Sequence, residues 1–183
     1  MPEIDLLAAL ERTYDQAGRV IGAVRDDQWG APTPCTEWDV RQVVEHLIGT
    51  VMTFTNALAD TGPAPDGDDP AALFREAAAQ SLAAWRQPGA LDRTLKLPWG
   101  ETPAGMAINI NLIDTAQHTW DVAKATGQPT AELDHEVAEY GREFTGTMIG
   151  QMGRGAMFGD EVACPDDAPA PDRLAAFLGR SPS

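Results

Sequence analysis

The chain of 183 residues carries 28 acidic against 13 basic side chains, a formal charge of −15, and no Lys/Arg cluster interrupts the acidity. A phosphate backbone or an anionic membrane surface is repelled by such a molecule, so neither nucleic acid nor membrane is an expected partner. The longest apolar run, Val43 to Val51, is broken by Glu45 and His46 and falls well short of the ~20 residues that cross a bilayer.

The N-terminal MPEIDLL has no basic stretch leading into an apolar one, and the expected location is cytoplasmic. Cys35 and Cys164 belong to no metal-binding spacing; two reduced thiols are expected, with a disulfide between them as the alternative. The length suits a single domain over residues 1–183.

Apolar residues from Leu6 to Val24 recur at three- and four-residue intervals and predict a first helix over about 3–26. The segment Gly30 to Cys35, with Pro32 and Pro34, cannot continue it. Thr36 then reads as an N-cap, with Asp39 answering three residues later, and a second helix is expected over about 37–59. A Pro/Gly/Asp-rich loop at 60–70 leads to a third helix over about 71–86. Alternation around Pro98-Trp99-Gly100 fits a short hairpin or an ordered crossover over 95–103. A fourth helix over about 104–126 ends at Gly127 with Pro129 just beyond. A fifth over about 131–148 and a last short helix around Leu174 to Leu178 complete an all-α bundle.

Two of the three histidines lie inside the strongest helices. Asp114 and His118 are four residues apart, so they project from adjacent turns of one helical face and can reach a single ion. His46, in the middle of the second helix, is the candidate third ligand. Two structural readings compete: a histidine among apolar neighbours is commonly bonded to a carbonyl, and an Asp/His pair at this spacing can be a plain hydrogen bond or ion pair. Asn111, Thr50, Thr53 and the space left by Gly49 favour a polar-lined pocket around these residues.

Three segments carry a resemblance: Thr33 to Gly49 (TPCTEWDVRQVVEHLIG), Asp114 to Gly127 (DTAQHTWDVAKATG) and Asp172 to Arg180 (DRLAAFLGR). Their order and content resemble the actinobacterial DinB-like metal-binding proteins, close to the N-terminal domain of mycothiol-dependent maleylpyruvate isomerase. The resemblance implies a DinB-like four-helix bundle with one or two extra short helices, holding one divalent ion through His46, Asp114 and His118. Zinc is the implied metal, with nickel or iron as alternatives. Relatives often have glutamate where this chain has the shorter Asp114, so the ion would sit closer to the fourth helix or be held less tightly; the isomerase carries a further C-terminal domain that contributes to its active site, and maleylpyruvate isomerisation is not assigned.

The implied function is a metal-dependent transferase or isomerase that activates a low-molecular-weight thiol, with mycothiol as cosubstrate. Two alternatives stand beside it: a non-catalytic module that binds metal or a small ligand, and a ferrous oxygenase built on two histidines and a carboxylate. A small-molecule substrate or thiol is the expected partner, and a homodimer is compatible with the acidic helical surfaces. Trp38, Asp39, Trp120 and Asp121 read as scaffold. Arg41 and Arg180 are either anion binders or surface ion pairs, and His135 is expected to be exposed.

Overall fold

The computed structural model describes residues 3–59, 63–155 and 158–182. Its helices are α1 (Leu6–Gly22), α2 (Val40–Leu58), α3 (Pro70–Trp85), α4 (Ala104–Thr126), α5 (His135–Met152) and α6 (Ala170–Phe177). Between α3 and α4 lies an antiparallel hairpin of β1 (Thr94–Leu97) and β2 (Gly100–Pro103), in which Leu95 pairs with Thr102 and Lys96 with Glu101. The architecture is all-α and DinB-like, with α1 to α4 forming the four-helix core and α5, α6 and the hairpin added to it.

The starts of α1, α3 and α5 follow from side-chain caps, whereas prolines precede α4 and α6. Asp5 accepts from the Leu7 and Ala8 amides at 3.1 Å each, Asp69 accepts from Ala71 at 2.9 Å ahead of Pro70, and Asp134 accepts from Val137 at 3.1 Å. The bounds of α1, α2 and α5 differ from the sequence reading; α5 runs over His135–Met152 in place of about 131–148, because Thr130–Glu132 form a separate 3-10 turn and Asp134 caps the helix. Helix α1 ends at Gly22, because the Arg25 amide takes the Gln28 side chain at 3.1 Å and opens a separate 3-10 turn over Asp26–Gln28. Helix α2 starts at Val40 with Asp39 as its cap, in place of Thr36: Asp39 accepts from the Gln42 amide at 2.9 Å, and Gln42 returns the bond to the Asp39 amide at 3.0 Å.

The intervening loop is folded by Thr33. Its hydroxyl donates to the Trp38 carbonyl at 2.8 Å, its amide reaches the same oxygen at 3.3 Å, and Pro32 bridges Asp39. The loop thus doubles back and sets Trp38 just before the start of α2.

Helix α4 is the central element. It packs against α1, α2, α5 and α6, and most of its residues are buried. The core includes Leu10, Ile21, Leu47, Phe54, Phe74, Trp85, Ile108, Leu112 and Trp120, each buried to 1% exposure or less. At its C-terminus Gly127 takes φ +71°, the left-handed conformation that a β-carbon disfavours, and the helix stops where the sequence indicates.

Asn111 is fully buried and donates to the Tyr14 hydroxyl at 2.7 Å, while Tyr14 and Ser81 hydroxyls lie 2.9 Å apart. Asn111 therefore ties α4 to α1 and α3. It was expected to line a polar pocket with Asp114, but its amide is committed to the core, and burial pushes the Tyr14 phenol far above its usual range.

The revised cap is directly testable. Asp39→Ala removes a bond to an otherwise unpaired helix amide and is expected to cost about 1 kcal/mol in urea unfolding. Thr36→Ala, at an exposed position outside the helix, leaves the midpoint within experimental error.

Candidate metal centre

Helices α2 and α4 cross with His46 and Asp114 facing each other, and α4 adds His118 one turn beyond Asp114. His46 Nε2 lies 3.5 Å from Asp114 Oδ1, and His118 Nε2 lies 3.6 Å from the same oxygen. One donor atom from each of the three residues falls within 4.8 Å of those of the other two. The two imidazoles meet edge to face, with ring centroids 4.8 Å apart. The structure therefore brings together all three residues singled out from the sequence.

These separations are diagnostic of what the groups can do. At 3.5–3.6 Å the contacts are too long for good hydrogen bonds, so the plain Asp/His bond considered for the i, i+4 pair is not formed. Two ligands each at about 2.0–2.1 Å from one tetrahedral ion stand roughly 3.3–3.5 Å apart, close to the spacing seen. The second Asp114 oxygen, Oδ2, is buried with no hydrogen-bond partner among the described residues. An unsatisfied buried carboxylate oxygen is costly, and a cation beside it would remove that cost. Two imidazole nitrogens and a carboxylate oxygen form a donor set suited to zinc, nickel or iron, so the residues present fit a divalent ion.

The surroundings set the direction of each ring. His118 Nδ1 lies 2.9 Å from Asp121 Oδ2, and Asp121 is fully buried. An ionised carboxylate only accepts, so in the neutral imidazole the proton sits on Nδ1 and Nε2 keeps its lone pair toward Asp114. Burial lowers the His118 pKa, but the Asp121 bond and the charges of Asp114 and Asp121 outweigh it, and the net shift is upward.

His46 is held by the Thr50 hydroxyl, 3.3 Å from Nε2, so this hydroxyl must turn aside when that nitrogen takes another partner. Thr53 instead donates to the Gly49 carbonyl of its own helix at 2.8 Å, and a β-carbon at Gly49 would meet open space.

Three residues of the site were missed or misread from sequence. Asp121, taken as scaffold, is the carboxylate that orients His118. Arg180, weighed as an anion binder or a surface pair, reaches the buried Asp121 carboxylate, with Nε 3.4 Å from Oδ1 and Nη2 3.3 Å from Oδ2. Trp38, also taken as scaffold, packs on both imidazoles, with centroids 4.6 Å from His46 and 5.9 Å from His118.

Cys35 enters as well, since its thiol forms a second group of potential ligands with His118 and Asp121. Both cysteines are free thiols, and burial, followed by the charge of Asp121, pushes the Cys35 thiol pKa up. The remaining candidates stay outside the centre. Arg41 stacks over Trp29 at 5.2 Å, Trp120 donates to Asp172 at 2.7 Å, and the exposed His135 bonds the Ala131 carbonyl at 2.9 Å.

The His118 shift has a defined sign. The folded pKa lies above the unfolded value of about 6.5, so the stabilisation from protonated His118 is full below that pH and is lost as the pH rises through the folded pKa. NMR titration of the metal-free protein is expected to place the His118 midpoint above the usual imidazole value. Asp121→Asn removes the principal upward contribution and is expected to lower that midpoint.

Residues 10–123 match the mycothiol maleylpyruvate isomerase N-terminal domain family. The chain is also similar to uncharacterized proteins from two strains of Mycobacterium tuberculosis, each 37% identical over 183 residues that cover 97% of this chain and 99% of theirs. No solved structure matches. With most of α1 to α4 inside the matched region, the chain belongs to the mycothiol maleylpyruvate isomerase N-terminal domain family.

Proposed function

We propose that the chain is a single-domain metalloenzyme that holds one divalent ion, zinc, through His46, Asp114 and His118, and activates a low-molecular-weight thiol of the mycothiol type for transfer or isomerisation. The observation that carries this reading is the meeting of three donor groups from two helices at ligand spacing, with no hydrogen bond joining them and one carboxylate oxygen left unpaired. Family membership supports the thiol. When bound, zinc lowers the pKa of a coordinated thiol or water toward neutrality and so supplies a nucleophile at physiological pH.

The chain's own residues do the rest. His46 and His118 would each offer a ring nitrogen to the ion, and Asp114 a carboxylate oxygen. Asp121 keeps the ring proton of His118 on Nδ1, away from the centre. Trp38 packs its indole against both imidazoles. With three residues as ligands, a bound ion would keep a position free for a thiol, as catalytic zinc sites do and structural ones do not.

Single replacement of His46, Asp114 or His118 by Ala is expected to reduce zinc stoichiometry sharply, as read by elemental analysis of the purified protein. His135→Ala and Cys35→Ser are expected to keep it. Full zinc in His46→Ala would overturn the assigned centre. The metal-free protein should retain most of its helical circular dichroism, because the core is apolar and continuous without the ion.

Zinc must displace the proton that His118 binds more readily than a free imidazole, so affinity should fall as the pH is lowered through that group's raised pKa. Conjugation of mycothiol to an electrophile should disappear on chelation and return with zinc. Stoichiometric zinc with no thiol consumed from a panel of electrophiles would leave a non-catalytic binding module as the function.

A further inference from the structure

The third partner of the His118 arrangement comes from the far end of the chain. Helix α6 ends with Leu178 as its cap, and Gly179 follows at φ +93°. The Gly179 amide bonds the Ala176 carbonyl at 3.1 Å, and the Arg180 amide reaches back to Ala175 at 2.9 Å. This paired ending is the Schellman motif, which fixes the direction of the residue after the glycine.

Gly179 is required there twice over: its φ is positive, and a β-carbon would come within 2.7 Å of the Gly159 Cα. The segment under it is pinned in turn. The Arg154 guanidinium donates to the Gly159 carbonyl at 2.8 Å and the Phe177 carbonyl at 2.7 Å, and Lys124 donates to the Pro182 carbonyl beyond Arg180. Arg180 thus leaves a rigid helix end, and its side chain is only 15% exposed.

What Arg180 meets is a carboxylate with no exposure at all. Two guanidinium nitrogens address the two Asp121 oxygens, which fixes both the position and the plane of the carboxylate. Gln117 adds a longer contact to Oδ1 at 3.5 Å. The Asp121 oxygen facing Arg180 Nη2, Oδ2, is the one that takes the His118 Nδ1 proton. A carboxylate free to rotate would release that proton to either ring nitrogen, and Nε2 would then be blocked for part of the time.

We propose that Arg180 is a positioning residue for the metal centre: it clamps Asp121, which holds His118 in the tautomer and orientation that leave Nε2 open toward His46 and Asp114. This rests on the metal reading above, and it extends the centre beyond the family match at residues 10–123 to the end of α6. The Schellman ending is part of the device, because it aims the guanidinium.

The test uses the full chain with Arg180→Met, Arg180→Lys and Gly179→Ala, and reads two quantities. The first is zinc affinity, by competition with a chromophoric chelator. The second is the tautomer of neutral His118 in the metal-free protein, from the nitrogen-15 shifts of its ring. Arg180→Met is expected to weaken zinc binding about ten- to a hundredfold and to convert the single Nδ1–H tautomer to a mixture. Arg180→Lys should recover part of both, and Gly179→Ala, remote from every ligand, should reproduce the loss in milder form.

Folded variants with wild-type zinc affinity and an unchanged His118 tautomer would overturn the proposal and leave Arg180 a stability role alone. If Arg180→Met fails to fold, the other two variants decide by the same criteria. Failure of the wild type to bind zinc would sink the metal reading, and the tautomer readout would still decide whether Arg180 governs His118.

Discussion

A carboxylate cannot be buried as a bare charge, and Asp121 has no exposed surface. Much of the organisation around α4 answers that constraint. His118 supplies an N–H on one side, Arg180 a guanidinium on another, and Gln117 an amide. Meeting these needs brings the end of α6 against α4 and turns one edge of the His118 ring inward. The opposite edge is left for Asp114 and, across the helix pair, His46. The geometry of the centre thus follows from how a buried negative charge is accommodated behind it.

The same helix shows a division of polar labour along its length. Near the first half, Asn109 accepts from Tyr140 at 2.6 Å and Asn111 donates to Tyr14 at 2.7 Å, so polar side chains tie neighbouring helices together. Thr115, Thr119 and Thr126 point into the core; the last two return their hydroxyls to the helix's own carbonyls at 2.7 Å, while the Thr115 hydroxyl has no partner among the described residues. At Asp114 and His118, polar side chains of α4 face one another and His46 at 3.5–3.6 Å without a good hydrogen bond between them. The amides of Asn109 and Asn111 thus hold the fold, while the Asp114 carboxylate is left open to a ligand.

How much of this was legible in the sequence follows the range of the interactions involved. Helix α4 was bounded correctly because Pro103 and Gly127 act within a turn of the ends they define, and the Asp114/His118 pair was readable because four residues fix its spacing. His46 was a candidate from its place in the middle of α2, and the family resemblance joined it to the pair, since the packing of α2 on α4 is not local. Asp39 displaced Thr36 as the cap because Thr33 closes the loop onto Trp38 and leaves Thr36 outside the helix. Asp121 left a signal, standing three residues after His118 on a neighbouring face, that was passed over for its adjacency to Trp120. Arg180 stood out as a residue that pairs with an anion, but its partner, 59 residues away, left no signal, and only the ending of α6 reveals where it points.

Trp38 has a spectroscopic consequence. Of the chain's five tryptophans, it is the one whose indole rests on imidazoles among the described residues, and it touches both. Indole emission is quenched by an adjacent imidazolium and altered by a cation held at the imidazole, whereas Trp85 and Trp120 lie deep among apolar side chains with little exposure to either. The loop folded by Thr33 therefore sets an intrinsic fluorophore against the candidate ligands, and its emission reads the charge state of the centre without any added label.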